Sequence, residues 1–286
     1  MANELTNTEL AAVIPEVWRP QILEARYAKM TVGKRVLGVE SDLISKMGDI
    51  VHLPVMPGLS ANTVTAATGG VTNQSVTLTD NSLTINSWKE STVDIVDRAI
   101  AQSYGDMAAQ FRKSFGGAMA VDTEDALLAL HSSVTTNVVG ATSAPFDTIN
   151  PDMIHAAVEK LLSLDIPVDD PNDVSFIFHT TVWRYLKNID VYNNANLTGK
   201  SVGGQLEQKV PDLAGIPVFF TSRVVSSGGV RKNLLLHREC LAWALQKNFN
   251  FEVLARTRKS TPYSADWLYG VAAIRENHGC VLNTAA

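Results

Sequence analysis

A long apolar repeat of helical spacing limits the possible folds of this chain more than any other feature. Within residues 93–131, apolar residues recur every three or four positions as far as Met119, and Leu127 and Leu130 extend the pattern, which is that of a helix with one buried face. The repeat comprises Val93, Val96, Ile100, Tyr104, Met107, Phe111, Phe115, Met119, Leu127 and Leu130. An unbroken helix of this extent would span roughly 55–60 Å, although Gly105 and the Gly116–Gly117 pair weaken it. A helix so long indicates a structural strut.

The preceding segment, residues 46–92, is rich in Thr, Asn and Gly and shows the alternation typical of strands. Ile50–Met56 is predicted to be a strand, and Pro54 within it indicates a sheet edge because proline cannot donate a ladder hydrogen bond. Apolar and polar residues alternate on both sides of Asp80–Asn81, which predicts a long two-stranded hairpin that turns at this pair. An isolated hairpin is marginally stable, so we expect this one to lie on another surface.

The two ends of the chain differ in character. Residues 1–45 offer no apolar face large enough for a core, and we interpret them as an arm whose partners lie elsewhere. From residue 145 onward helices and strands alternate, and Asn150–Pro151 is a strong helix start. The predicted elements are a helix from Pro151, strand Val174–Phe178, helix Thr180–Lys187, a polar loop over 190–212, strands Ile216–Phe220 and Leu234–His237, a short helix Cys240–Gln246, strand Phe249–Thr257, and a last strand Trp267–Ile274 followed by a loop through Gly279.

The composition is that of a globular protein that does not grip nucleic acid. The 286 residues are 45% hydrophobic and 19% charged, enough for one large or two small domains. A net charge of −5 argues against phosphate binding as the main task. The chain has no signal-peptide pattern and no apolar run near the ~20 residues of a membrane span. Cys240 and Cys280 are predicted to be reduced, buried thiols, so we expect a soluble protein made in a reducing cytoplasm.

One local motif raises the possibility of a hydrolase. Residues 199–203 read G-K-S-V-G, which matches the nucleophile elbow with Ser201 as nucleophile and His237 downstream. That elbow requires an apolar strand before it and a helix after it, whereas the preceding residues are polar. The same stretch does not form a phosphate-binding loop, because Asn194 stands where the first glycine belongs. A solvated loop is the better interpretation.

No other local pattern indicates catalysis or metal binding. The six histidines include no pair at helical spacing, so a local zinc motif is absent, while a composite site from distant segments stays open. The acids at Asp169–Asp170 and at Asp122, Glu124 and Asp125 are interpreted as a solvated turn and a solvated helix face. We therefore predict no catalytic residue, cofactor or metal.

Three stretches of the C-terminal half, taken with the order of the predicted elements, carry a resemblance to a known family. LAGIPVFFTSRV looks like a Leu-x-Gly-x-Pro-Val strand beginning at Leu213. HRECLAWALQKNFNFEVLAR resembles a small helix, a glutamine and then a Val-Glu strand, and Trp267–Val271 followed by Arg275–Asn277 resembles a closing strand. These features are similar to those of the tailed-bacteriophage major capsid proteins.

The resemblance implies an α+β, Hong Kong 97-type capsid fold over nearly the whole chain. That fold consists of an N-terminal arm, an E-loop hairpin, a long spine helix, a peripheral (P) domain and an axial (A) domain. The corresponding ranges are 1–45 for the arm, 46–92 for the E-loop, 93–144 for the spine helix and P-domain, 145–258 for the A-domain, and 259–286 for the return to the P-domain.

The function that the resemblance implies is structural and not enzymatic. Such a subunit assembles with itself as hexamers and pentamers into the icosahedral head, which encloses double-stranded DNA by containment. A separate scaffolding protein, a portal and decoration proteins are implied partners; no membrane is involved. The implied location is the virion, after assembly in the cytoplasm of the host bacterium. An encapsulin-type nanocompartment shell, which shares the fold, is one alternative, and an α/β hydrolase using Ser201 is another.

Two further expectations concern contacts between subunits. Some members of the family cross-link an E-loop lysine to a neighbour, but residues 48–88 contain no lysine, so this cross-link is not expected. The arm begins almost at Met1, which leaves no room for an N-terminal scaffolding extension and favours a separate scaffold. The residues predicted to lie at subunit interfaces are Thr63, Thr65, Thr68, Asn73, Trp18, Arg19, Arg256 and Arg258.

Overall fold

The computed structural model describes residues 30–39, 50–63, 73–96, 107–189, 212–256 and 259–285. Within these ranges the chain forms twelve strands and three α-helices. The strands are β1 Leu37–Val39, β2 Ile50–Val55, β3 Thr79–Thr84, β4 Ser87–Val96, β5 Val138–Val139, β6 Val174–His179, β7 Val218–Thr221, β8 Ser226–Ser227, β9 Val230–His237, β10 Leu241–Val253, β11 Ser260–Ala273 and β12 Gly279–Ala285. The helices are α1 Met107–Ala129, α2 Pro151–Leu162 and α3 Thr180–Lys187.

The larger sheet has six strands and is covered on both faces. Its order is β5-β12-β9-β6-β7, with β8 paired to β9. Along β6 every residue is buried, and the side chains alternate between two cores. Phe176 and Phe178 pack with residues of α2 and α3, whereas Ile177 packs with Leu127 of α1 on the other face. A strand buried on both faces has a continuous apolar sequence, and the strand predicted from that run is confirmed.

The helices that pack on the larger sheet, α2 and α3, begin directly after capping residues. The Asn150 side chain accepts a hydrogen bond of 2.8 Å from the Met153 backbone N–H, and Pro151 occupies the first helical position. The Asn150 oxygen pairs with one of the free N–H groups of the first helical turn, and Pro151 has no N–H group that could remain unpaired. The predicted start of α2 and both ends of α3 are confirmed.

The smaller sheet has four strands in the order β1-β10-β11-β4, and α1 lies against it. Phe111 and Phe115 of α1 pack on Phe251 of β10 and Tyr263 of β11, with neighbouring ring centroids 6.0–6.2 Å apart. Aromatic pairs at this separation attract beyond the burial of their area. The cluster therefore holds the N-terminal half of α1 against the smaller sheet. Near the other end of the helix, Leu127 packs against the larger sheet.

The short helix predicted for Cys240–Gln246 is wrong, because Leu241–Gln246 form the start of the 13-residue strand β10. Leu, Ala and Gln favour a helix by only tenths of a kcal/mol per residue. Here the side chains alternate: Ala242 and Ala244 pack in one core cluster, whereas Leu241 and Trp243 pack in another. Pairing with β1 and β11 on both sides decides the conformation against the local preference.

Helix α1 is shorter than the apolar repeat predicted. It spans 23 residues, about 35 Å at ~1.5 Å per residue. Residues 97–106 lie outside the described ranges. The predicted helix is wrong at Val93–Val96, which ends β4 and pairs with β11. Val93 and Ile95 face the protein while their neighbours face solvent. This alternation is typical of a strand, but the apolar residues are also spaced as in a helix, and the prediction followed the helical spacing.

The hairpin predicted to turn at Asp80–Asn81 is wrong, and the hairpin in the structure is formed by other strands. Strands β2 and β3 pair antiparallel, with Pro54 opposite Asp80. Asp80–Asn81 therefore lies within a strand, and the connection runs through residues 56–78. Pro54 is at an edge, as predicted, because each strand of a two-stranded sheet is an edge. At the base of the hairpin, Leu83 and Ile85 are buried against this chain's own sheet, a surface that the sequence did not reveal.

The chain forms one more strand after the last one that was predicted, and this strand lies inside the larger sheet. Instead of a loop through Gly279, the chain forms β12, which pairs with β9 over seven residues and with β5 on its other side. Cys280, Val281 and Leu282 are buried in its interior. The predicted strand Trp267–Ile274 lies within β11 except for its last residue. The short run CVLNTAA carried too few residues to separate a buried strand from a tail.

Candidate interaction surfaces

The hairpin presents apolar side chains to solvent along the loop beyond its paired strands. Met56 is 68% and Leu59 66% exposed, and Val76 and Leu78 on the returning segment are also exposed. Large exposed apolar areas are rare on monomers and mark contact surfaces, so these four side chains make the loop a candidate. The two segments are tied where Gln74 accepts a hydrogen bond from the Ser60 N–H at 3.1 Å and donates to the Ser60 carbonyl. The loop is therefore held as a paired projection and not splayed open.

A second surface lies along β4, the outer strand of the smaller sheet. Among the described residues no strand pairs with its outer side, so its backbone groups are available to another strand. Trp88 is 72% exposed, and its indole N–H donates to Asp266 at 3.1 Å, which orients the ring. Val96 at the other end of the strand is 55% exposed. The sequence prediction missed Trp88, whose only signal was a large aromatic residue next to a polar hairpin.

The structure places the predicted interface residues as follows. Thr63 and Asn73 are exposed at the two sides of the undescribed hairpin tip, and Arg256 is exposed beyond β10. Thr65, Thr68, Trp18, Arg19 and Arg258 lie outside the described residues. The interface assignment therefore stays a prediction. Ser201 and the whole predicted elbow also lie outside the described residues.

The acids of α1 do not form the solvated face that the sequence predicted. Glu124 is 2% exposed, and its carboxylate accepts hydrogen bonds from the backbone N–H of Thr31 and Val32 at 2.9 and 3.0 Å. Desolvation by burial raises the pKa of Glu124 despite these bonds. Asp122 accepts a hydrogen bond from the Tyr269 hydroxyl at 2.7 Å. The prediction failed because the partners are distant in sequence. Glu124 binds the segment before β1, and Asp122 binds β11.

A further acid–base contact joins α1 to the larger unit. Arg223, after β7, forms an ion pair with Asp125, and the bond to this carboxylate raises the pKa of the guanidinium. Both side chains are more than one third exposed, so solvent screens the pair. The turn at Asp169–Asp170 is exposed, and this part of the prediction is confirmed.

Three side chains that could bind a metal ion meet where the two sheets join. Among the described residues this is the one such group: His237, Glu239 and His278, whose ligand atoms all lie within 4.8 Å of one another. The two imidazole rings meet edge to face with centroids 5.4 Å apart. Burial lowers the pKa of His278, and the charge of Arg275 lowers it further. Arg275 also pairs with Glu239 at 3.0 Å. Neither His237 nor His278 has another histidine three or four positions away, so no local sequence motif predicted the group.

The cysteines are free and buried, as the sequence predicted. Desolvation raises the pKa of both Cys240 and Cys280 to about 12. A thiol in this state is a poor nucleophile at neutral pH. In the part of the chain that is described, no helix combines the length and apolar character that crossing a membrane requires.

Comparisons with known proteins point to one kind of structure. No family model matches the sequence, and no curated protein matches it. Among solved structures, a chain from Mycobacterium phage Che8 is 20% identical, with a TM-score of 0.78 over 94% of this chain and 96% of that one. The capsid of the cyanophage P-SCSP1u gives 14% identity and a TM-score of 0.73 over 98% and 95%. The capsid of a native GTA particle gives 11% and 0.74 over the full length of both chains.

Proposed function

We propose that this chain, which has the α+β, Hong Kong 97-type capsid fold predicted from its sequence, is the major capsid protein of a tailed bacteriophage. The observation that carries the proposal is the extent of the structural match. The three chains described above share 94–100% of this chain's length, and two of them come from structures named as capsids. The match therefore covers nearly all of the residues of this chain.

The architecture suits a subunit that must contact several neighbours at once. Two sheets joined through α1 make a body with its own cores, from which the hairpin projects with exposed apolar residues at Met56 and Leu59. A projecting hairpin and an open sheet edge can add strands and contact area to neighbouring subunits. We assign the arm to residues 1–45, the E-loop to 46–92, the spine and P-domain to 93–144, the A-domain to 145–258, and the return to the P-domain to 259–286.

The assembled state that follows is a shell of hexamers and pentamers around double-stranded DNA. The negative net charge fits containment of DNA and not tight binding to it. Because residues 48–88 contain no lysine, the proposal includes no cross-link from a lysine in this stretch of the E-loop. A separate scaffolding protein, a portal and decoration proteins complete the particle, which assembles in the host cytoplasm and functions as the virion. No observation favours the encapsulin shell or the hydrolase that uses Ser201.

The proposal is tested by assembly of the full-length chain, expressed alone and with candidate scaffolding proteins, and imaged by negative-stain electron microscopy. Closed shells, or rings of five or six subunits, are expected. Deletion of Thr63–Asn73 should leave a folded chain that assembles poorly. A chain that remains monomeric with every scaffold would contradict the proposal, and ester hydrolysis lost in Ser201→Ala would support the hydrolase. Shells that package enzymes in place of DNA would support the encapsulin.

A matched pair of double variants separates hairpin contacts from general loss of surface apolar area. Met56→Ser with Leu59→Ser removes two exposed residues of the hairpin loop. Leu162→Ser with Leu164→Ser removes the last residue of α2 and a residue of the turn after it, which are 52% and 43% exposed. Both pairs should fold, because little buried area is lost. Shell yield should fall with the hairpin pair alone; equal yields would remove the role proposed for this surface.

A further inference from the structure

Two crossings of the chain between the sheets lie side by side. The first runs from β9 to β10 and carries His237 and Glu239; the second runs from β11 to β12 and carries His278. The backbone N–H groups of Ile274 and Arg275 on the second crossing both donate to the Cys240 carbonyl on the first, at 2.9 and 3.2 Å. Any ligand that joined these crossings would therefore join the two sheets at the place where the chain passes between them.

We propose that His237, Glu239 and His278 bind one divalent transition-metal ion of the zinc class, which clips the two crossings together. Two imidazole nitrogens and a carboxylate oxygen are a donor set that zinc uses in proteins. Their ligand atoms are already within 4.8 Å of one another, so small side-chain rotations bring them to one ion. The inference does not depend on the proposed function, because the site lies within a single chain.

An unpartnered atom supports the assignment. The Nδ1 of His278 is buried and has no hydrogen-bond partner among the described residues. A buried polar atom seldom lacks a partner unless a bound ligand or a functional role accounts for it. The backbone around it is fixed, because the Asn137 side-chain amide donates to the carbonyls of Asn277 and Gly279 at 2.9 and 3.1 Å. His278 is thus held in position from both sides while one of its ring nitrogens lacks a partner.

Two weak contacts give way when the ion binds. The His237 Nδ1 accepts a hydrogen bond of 3.3 Å from the Glu239 N–H, which is long for such a bond. Arg275 pairs with Glu239, but the two side chains are 37% and 47% exposed, and exposed pairs contribute little. Arg275 is nevertheless a positive charge that competes with the metal for Glu239. Three protein donors leave a coordination position for water, as in open zinc sites.

The test uses the untagged full-length chain, freed of metal by chelation and dialysed against Zn²⁺, with Co²⁺ as a spectroscopic probe. One Zn²⁺ per chain is expected, together with visible Co²⁺ absorption bands of four-coordinate intensity. At about 100 times the dissociation constant, zinc should raise the melting temperature by about 5 °C. Mg²⁺, which prefers oxygen ligands, should do neither.

Matched variants distinguish this site from scattered surface binding. His278→Gln and Glu239→Gln should weaken zinc binding at least tenfold, about the loss that even outer-shell changes cause. His155→Gln, a change at an exposed histidine of α2, should leave it unchanged, and Arg275→Gln should tighten it several-fold. Glu239 is exposed, so its variant folds even where the change at His278 does not. Failure of the parent chain to take up stoichiometric zinc, or equal uptake by the Glu239→Gln variant, would overturn the proposal.

Discussion

The carboxylate of Glu124, in the C-terminal part of α1, accepts a hydrogen bond of 3.0 Å from the backbone N–H of Val32, and the two residues are 92 positions apart in the chain. The same oxygen accepts a bond from the Thr31 N–H. These amides begin the 3-10 turn Val32–Lys34, which leads directly into β1. The helix thus supplies from a distance the cap that the turn lacks in its own sequence, and it fixes where the chain enters the smaller sheet.

Replacing Glu124 by Ala should release the beginning of this turn. The part-buried N–H of Thr31 and the buried N–H of Val32 would lose this acceptor, and we expect the free energy of unfolding to fall by about 1–3 kcal/mol. Hydrogen–deuterium exchange read by mass spectrometry should become faster at residues 31–34 in particular. Asp125→Ala on the same helix is the control and should cost less than ~1 kcal/mol, since its pair with Arg223 is exposed. Unchanged exchange at residues 31–34 would show that the bonds carry no stability.

The raised pKa of Glu124 predicts a component of stability that depends on pH. The folded state holds the proton more tightly than the unfolded state, whose pKa is near 4.5. This contribution is complete below that value and is lost as the pH rises through the raised pKa. We therefore compare the urea midpoints of the dissociated parent chain and of Glu124→Gln. As the pH rises from 4.5, the parent should lose stability relative to the variant. A difference that stays constant or moves in the parent's favour would contradict the assignment.

Gly270 should not tolerate a side chain. A Cβ at this position of β11 would lie 2.9 Å from the Ile85 Cα, where the chain leaving β3 crosses the sheet. We expect Gly270→Ala to destabilise the fold by about 1–3 kcal/mol, because backbone on both sides must move. Gly116→Ala in α1 is the control. A Cβ there meets no atom of the described residues within 4 Å, and the substitution should stabilise the fold by about 0.5–1 kcal/mol. Thermal denaturation of both variants measures the contrast, and equal midpoints would argue against the close crossing.

Trp88 should matter to assembly and not to folding. Its ring is 72% exposed, and truncation to Ser removes little area that is buried within the chain. If the edge of β4 meets a neighbouring subunit, loss of a tryptophan there should weaken the contact by about 2 kcal/mol or more. Particle yield by sedimentation should drop while circular dichroism stays that of the parent. Trp88→Phe should retain most of the yield, and normal yield from Trp88→Ser would place this edge outside the interfaces.

The two thiols should be inert in the folded chain. With a pKa of about 12 for both Cys240 and Cys280, only about one thiol in 10,000 is ionised at pH 8. A chromogenic disulfide reagent should therefore label neither until urea unfolds the chain, when both react. Because the folded pKa exceeds the ordinary value of 9.0, alkaline solution should also destabilise the fold as pH rises above 9. Rapid labelling of the native chain would contradict the burial.

Prediction from sequence succeeded where a local cause was sufficient. The cap at Asn150 and the helix Thr180–Lys187 depend on neighbours in the chain, and the apolar run at Val174–Phe178 is a strand because it is buried on both faces. Cys240–Gln246 failed because its strand depends on partners in β1 and β11. Asp80–Asn81 failed because a turn-like pair can also lie inside a strand when a distant strand pairs with it. Of the three candidate sites, the exposed hairpin could be expected, whereas the edge of β4 at Trp88 and the group of His237, Glu239 and His278 could not.

The sequence by itself determined the order of the elements, the apolar faces of the helices and the resemblance that led to the fold, because these depend on residue spacing and on short-range chemistry. Tertiary structure alone decided which strand lies at the centre of the larger sheet and which acid of α1 is buried. It also decided that histidines 41 positions apart, at the ends of two adjacent strands (His237 and His278), come together. Such pairings are set by strand register and packing across the whole chain, for which the local sequence carries no separate signal.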